Sequence, residues 1–341
     1  MAVTRADVAR TAGVSPAVVS YVLNNGPRPV SASARERVQE AVQVLGYRPN
    51  RLARALRANR SRSIGMLMPD HVNPHFAELA QAVEDEAFAR DQVLLFGTTS
   101  NDAEHETTHL RALLDHQIDG LLLISSLQQP DTSGLEGAGM PTVLLDRAPA
   151  GSRDSTVAID NRGAALTAVR HLLSHHRVRP AAILGPQGIS AVLERRAGWD
   201  EALVEARLRE VVAPEHEPFS REGGYAAASR LLRRPAGERP DALFVASDAQ
   251  AIGAVRACLD LGLRVPEDVA LVSIDGSSAG RFMAPSITSV VQDVAEIARV
   301  AVATLLERIE HPDGPAIHEV LEAELRLGES CGCGGAVAPS S

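Results

Sequence analysis

A chain of 341 residues, 45% hydrophobic and 23% charged, has the composition of a soluble protein and the length for two or three cores. Its three cysteines exclude a disulfide framework and fit a reducing compartment, and no apolar run approaches the length of a membrane span. The net charge of −9 conceals an asymmetry: residues 1–62 hold 11 arginines against Asp7, Glu36 and Glu40, so a basic head precedes a strongly acidic body. That is the electrostatic footprint of a chain presenting one end to phosphates, with a solvated basic face as the alternative on charge alone. The N-terminus has no apolar stretch behind a basic start, so no signal peptide is expected and the expected compartment is the cytoplasm.

In the head, Thr4 and Asp7 have the spacing of a capping box that opens a helix running to about Ala12. Gly13 then permits a sharp turn. Ser15 caps a second helix with Pro16 at its first position, where the missing N–H costs little. Asn24-Asn25-Gly26-Pro27 stops it, and a third helix begins at Ser31 or Ser33 and ends at Gly46. Val38, Val42 and Leu45 recur at helical spacing and are expected to pack on Val8, Ala9, Val14, Val19 and Val22. Two short helices joined by Ala-Gly-Val-Ser and supported by a third make a helix-turn-helix unit, residues 1–47. Its second helix would enter the major groove, with Pro16, Ala17 and Tyr21 at base edges and Ser15, Ser20 and Asn24 placed for phosphates. A three-helix module that binds no DNA is the alternative. Pro16 and Ala17 carry no side-chain donor, so readout leans on Tyr21, thymine methyl groups and DNA shape.

From Ser63 the chain alternates apolar strands with amphipathic helices. The strands expected are Ile64–Met68, Val93–Gly97, Gly120–Ile124, Thr142–Asp146, Ala181–Gly185, Ala242–Ala246 and Val269–Ile274, with a last one near His318–Leu327. A helix near Pro74–Arg90 places Phe76, Ala80, Val83 and Ala87 on one face. This pattern predicts parallel sheets covered on both sides, and residues 63–330 suit two such lobes better than one. Ligands bind beyond the carboxyl ends of strands in such sheets. That rule marks Asp70–Phe76, Asp146-Arg147, Ser247-Asp248 and Asp275-Gly276, where carboxylates would accept from hydroxyls and guanidinium would donate. Taken singly, each aspartate is equally well a helix cap or a turn former. Trp199 is expected in the core.

The histidines, including His105, His109, His175 and His176, fall in polar, helical stretches and are expected to be solvated. Cys331 and Cys333 form a Cys-x-Cys pair that a soft metal would accept, but no further ligand lies nearby in sequence. Residues 331–341 are therefore expected to fray, with no metal and no cofactor. A dinucleotide-binding Gly-x-Gly-x-x-Gly after the first strand and a Gly-x-Ser-x-Gly elbow are both absent, which argues against an enzyme.

The run Asp7-Val8-Ala9-Arg10-Thr11-Ala12-Gly13-Val14-Ser15, then Val19-Ser20-Tyr21-Val22-Leu23-Asn24, resembles the headpiece of the LacI/GalR family. So does Gly46-Tyr47-Arg48-Pro49-Asn50 followed by Leu52-Ala53-Arg54-Ala55-Leu56, and the resemblance extends over essentially the whole chain. It implies an all-α helix-turn-helix headpiece joined by a hinge, residues 48–62, to a two-lobed, periplasmic-binding-protein-like α/β body. In that family the segment matching Asn50–Arg57 becomes helical on operator DNA, and a leucine matching Leu56 wedges between central base pairs of the minor groove. The resemblance adds Thr4, Asn50, Ala53 and Leu56 to the DNA contacts. By position it gives Asp146, Arg195 and Asp275 contact with an effector, beside Arg147, with Phe76 and Phe219 as stacking aromatics. Ser247 stands where an asparagine often sits, next to Asp248. Pro285-Ser286-Ile287-Thr288-Ser289-Val290 resembles the family's crossover near the lobe boundary. No leucine heptad follows the last strand, so a homodimer is expected. The implied function is a repressor of a pseudo-palindromic operator, switched by a small molecule, most simply a sugar or sugar derivative. The alternatives are a cytoplasmic sugar-binding protein and an α/β enzyme without regulatory DNA binding.

Overall fold

The computed structural model describes residues 3–24, 28–47, 60–125, 133–146, 153–210 and 212–333. The chain divides into two compact units, Met1–Ser61 and Arg62–Ser341.

The first unit holds three helices, α1 (Arg5–Ala12), α2 (Pro16–Asn24) and α3 (Ala32–Leu45). The capping box forms as expected: Asp7 N–H donates to the Thr4 hydroxyl, and Thr4 N–H donates to the Asp7 carboxylate at 2.9 Å. Gly13, with φ of 64°, closes α1 in the left-handed region that only glycine occupies cheaply. Ser31 caps α3, and Gly46 ends it. Val8, Ala9, Ala12, Val19, Val22, Val38 and Ala41 form the small buried core, with Val14, Val42 and Leu45 packed around it.

The second unit contains two six-stranded sheets. The first lobe has β1 (Ser63–Met68), α4 (Pro74–Ala89), β2 (Val93–Thr98), α5 (Ala103–Asp115), β3 (Gly120–Leu123), α6 (Ser133–Gly137), β4 (Thr142–Leu145) and β5 (Ser155–Ile159). The chain crosses to the second lobe with α7 (Asn161–Ser174), β6 (Pro180–Leu184), α8 (Ser190–Glu205), β7 (Glu215–His216), α9 (Arg221–Leu232), β8 (Ala242–Val245), α10 (Asp248–Asp260), β9 (Ala270–Asp275), α11 (Ser278–Arg281) and β10 (Thr288–Val291). It returns through α12 (Val294–Glu310) to β11 (His318–Leu321) in the first sheet, then ends with β12 (Glu324–Arg326) in the second.

The sheet orders are β2-β1-β3-β4-β5-β11 and β7-β6-β8-β9-β10-β12, parallel throughout except for antiparallel β12. Each lobe is therefore doubly wound, with its strand order reversing at β1/β3 or at β6/β8, where ligands bind in such sheets. The seven strands individually expected all form within one or two residues; β5, β7 and β10 add to them, and the expected last strand is split into β11 and β12. Nearly every residue of the central strands is buried, which explains their unbroken apolar runs. Trp199 is fully buried and stacks on Phe244, ring centroids 6.0 Å apart. The expectation of fraying from residue 331 does not hold for Cys331, which is wholly buried. No helix among the described residues is long and apolar enough to cross a membrane.

Candidate functional site

The carboxyl ends of the strands in both lobes converge on one cleft. From the first lobe come Asn73, His75 and Phe76, which follow β1, and Asp146, which follows β4. The second lobe supplies Ala191 and Arg195 on α8, Phe219 after β7, Ser247 after β8, Asp275 at the end of β9 and Gln292 after β10. Together they leave room for about one water molecule, so the cleft is narrow. Glu78 on α4 latches it: its carboxylate accepts from the backbone N–H of Ser278 on α11 at 2.9 Å and from the Ser278 hydroxyl at 2.6 Å.

Arg195 is the central cation and is almost wholly buried. Its Nε donates to Asn161 Oδ1 at 2.8 Å, its Nη1 donates to the Ala246 carbonyl at 2.6 Å, and the guanidinium lies 6.0 Å from the centre of the Phe219 ring. Asp275 accepts from Gln292 Nε2 at 2.9 Å and from Asp248 N–H at 3.1 Å. Burial pushes its carboxyl up to about 7, against the pull of Arg195 and the Gln292 amide. Asp146 and Asp275 have φ of 60° and 119°, conformations that cost a non-glycine residue about 1–3 kcal/mol and that collect at ligand clamps. His75 is buried, and burial holds its imidazole below the ordinary value, so it is neutral near pH 7. Among the described residues its Nε2 has no hydrogen-bond partner.

Phe219 is held by groups that carry no sequence signal of their own. Fully buried Gln250 on α10 directs its Nε2 at the carbonyls of Leu184, Glu217 and Pro218 at 3.1, 3.0 and 3.1 Å, which fixes the segment leading into Phe219. Gly185 leaves space for the ring: a Cβ there would lie 2.2 Å from Phe219 Cζ.

Of the expected effector residues, Phe76, Asp146, Arg195, Phe219, Ser247 and Asp275 meet in the cleft, whereas Arg147 lies outside the described residues. Asp248 requires a correction. It does not line the cleft, and its carboxylate is filled by the hydroxyls of Ser273 and Ser289 on one oxygen and the N–H and hydroxyl of Ser277 on the other. Burial and the charge of Asp275 push it up to about 6. Its role is to tie β9, β10 and α11 together behind the site. Ser247 reaches the cleft, but its hydroxyl is engaged in capping α10. His75, Asn73, Gln292 and Gln250 were not singled out by sequence; only the strand-end rule, through the segment Asp70–Phe76, pointed near the first two.

On the basic unit, Ser15, Pro16 and Ala17 are exposed at the start of α2, and Ser20 and Tyr21 are half-exposed one turn later. These positions share one helix face, opposite the buried Val19 and Val22. Asn24 ends α2, and its side chain lies outside the described residues, as do Asn50, Ala53 and Leu56. Thr4 is exposed, with its hydroxyl already engaged by Asp7.

Residues 4–50 match the model of bacterial regulatory proteins of the lacI family, and residues 169–331 match that of a periplasmic binding protein-like domain. The chain is 35% identical over 314 residues to the HTH-type transcriptional repressor PurR of Haemophilus influenzae (strain PittEE), covering 90% of this chain and 91% of that protein. It is similar to the lac repressor dimer bound to operator and the anti-inducer ONPF, with a TM-score of 0.87 and 26% identity over 97% of this chain and 99% of that one. It is also similar to the transcriptional regulator CelR in complex with cellobiose, with a TM-score of 0.71 and 33% identity over 96% of this chain and 99% of that one. With a helix-turn-helix head, a two-lobed α/β body and relatives matched along nearly their whole length, this chain belongs to the lacI family of bacterial regulatory proteins.

Proposed function

We propose that this protein is a cytoplasmic, homodimeric repressor that releases or grips a pseudo-palindromic operator according to a sugar or sugar derivative held between its lobes. The observation that carries the ligand class is the chemistry of the cleft. Two aspartates at positive φ, buried Arg195 and the unpartnered Nε2 of His75 face the same space as Phe76 and Phe219. Carboxylates and a guanidinium make paired hydrogen bonds with vicinal hydroxyls, while aromatic rings cover the C–H faces of a sugar ring. The cellobiose held by the related regulator favours the same class.

The mechanism follows from the narrowness of the cleft. A sugar enters only when the lobes part, which breaks the Glu78–Ser278 bonds, and the bound cleft then settles at a different lobe angle. The ligand shifts the equilibrium by the difference between its affinities for the two arrangements, and operator binding changes by at most that factor. Two hinge segments around Leu56, one per subunit, read that angle by folding together in the minor groove or failing to do so. On the head, Ser15 and Ser20 take phosphates, while Pro16, Ala17 and Tyr21 face the bases. A binding role in place of turnover is supported by the similarity to transcriptional repressors. Titrating neutral sugars, polyols and nucleosides by calorimetry tests the ligand class. A sugar bound by the wild type and lost in Asp275→Asn and Arg195→Met supports it; binding of nucleosides alone overturns it.

A further inference from the structure

At the end of α7 remote from the cleft, four side chains from two distant parts of the chain come together. His171 lies in the last turn of α7 and His175 caps its C-terminus four residues on, while Cys331 and Cys333 lie beyond β12. One donor atom from each, two imidazole nitrogens and two thiol sulfurs, lie within 4.8 Å of one another. Cys333 Sγ is 3.5 Å from His171 Nε2 and 3.2 Å from His175 Nε2. A tetrahedral zinc ion with Zn–S of about 2.3 Å and Zn–N of about 2.0–2.1 Å sets its sulfur and nitrogen ligands about 3.5 Å apart. The cluster therefore needs to contract by about 1.0–1.5 Å at its widest to become a Cys2His2 site.

Three further features fit. The i, i+4 spacing aims both imidazoles to one side of α7. Gly332 sits between the cysteines at φ of 94°, which lets the short segment turn both sulfurs inward. The segment is also held in place from behind, because Ser330 accepts from Thr288 N–H at 2.9 Å and donates its hydroxyl to the Leu271 carbonyl at 2.7 Å. Cys331 is wholly buried, and its sulfur lies 3.9 Å from the Gly328 carbonyl and pairs with the Cys333 thiol. A buried thiol within 4.8 Å of a second thiol and two imidazole nitrogens has the surroundings of a metal-binding thiolate.

We propose that His171, His175, Cys331 and Cys333 bind one structural zinc ion that clasps the segment after β12 to α7 of the second lobe. The set is two thiolates and two imidazoles, which selects a borderline-soft, tetrahedral cation, and four protein ligands leave no open position for chemistry. The sequence hid this because the two pairs are more than 150 residues apart, and each alone reads as solvated or frayed.

The test is metal analysis of the full-length protein purified with a thiol reductant and dialysed against metal-depleted buffer. The wild type is expected to keep about one zinc per chain, and the cobalt-substituted protein to show the visible bands of a tetrahedral site with sulfur ligands. Cys333→Ser and, separately, His175→Gln should lose the metal and the cobalt spectrum, while Cys258→Ala, at a cysteine buried elsewhere, should keep both. Retention of zinc by both ligand variants, or wild-type protein with no zinc and a Cys331–Cys333 disulfide under the reductant, overturns the proposal. Circular dichroism of each variant separates loss of the site from loss of the fold.

Discussion

Gln250→Leu removes one buried amide at nearly constant volume, so its cost comes from the acceptors it deserts. The Gln250 amide serves three carbonyls, but they are not equally dependent on it. The Leu184 carbonyl also accepts from Glu217 N–H at 3.1 Å, and the Pro218 carbonyl from Ser220 N–H at 2.7 Å. Of the three, only the Glu217 carbonyl depends on Gln250 alone among the described residues, and orphaning it costs about 1–3 kcal/mol. Weakening the other two adds about 0.5 kcal/mol each, for a total of about 2–4 kcal/mol. In a unit of this size that lowers Tm by about 5–15 °C. Because the affected segment leads directly into Phe219, ligand affinity should fall about tenfold or more, while operator affinity of the ligand-free protein changes little. Differential scanning calorimetry with calorimetric ligand titration reads both. A Tm within about 2 °C of wild type, with unchanged ligand affinity, refutes the assignment of Gln250 as the anchor of the Phe219 segment.

Gly185→Ala puts a methyl group 2.2 Å from Phe219 Cζ, so the ring must leave its seat. Ligand affinity should drop about tenfold or more with little loss of operator binding, and fluorescence titration of labelled DNA checks the second half. Burial raises Asp275 to about 7 and Asp248 to about 6, both above their ordinary 3.8. The native state then binds more protons than the unfolded state between these values, so these groups make stability fall as pH rises from about 4 to about 7 and level off above. A ligand hydroxyl needs the carboxylate, so the affinity of the wild type should increase from about pH 6 to about pH 8 in calorimetric titrations, and a flat profile contradicts the assignment. Leu56→Ala should weaken specific operator binding far more than binding to unrelated DNA in side-by-side anisotropy titrations; equal losses on both contradict the wedge role.

The parts of the fold legible in the sequence are those set by neighbours along the chain. The Thr4–Asp7 box, the Gly13 turn and the buried strands β1, β3, β6 and β8 each declare themselves within four to six residues. β7 has two residues and β5 is only the five-residue run Ser-Thr-Val-Ala-Ile, so neither gives a periodic signal. In the cleft, the strand-end rule finds aspartates but cannot tell a ligand group from a tie-bar. Asp275 faces the cleft, whereas Asp248, equally placed after a strand, is enclosed by serines from β9, β10 and the turn before α11. Gln250 and Gln292 act through pairings across 17–66 residues, a distance over which residue type alone says nothing.

Selection of double-stranded fragments from a random pool by the immobilised full-length protein, at about physiological salt where non-specific binding is weak, tests the central claim most directly. The account predicts enrichment of a pseudo-palindrome with a deformable central step, and a change in the retention of that DNA when the cleft-binding sugar is added. Folded, dimeric protein that enriches no sequence, with or without the sugar, contradicts it.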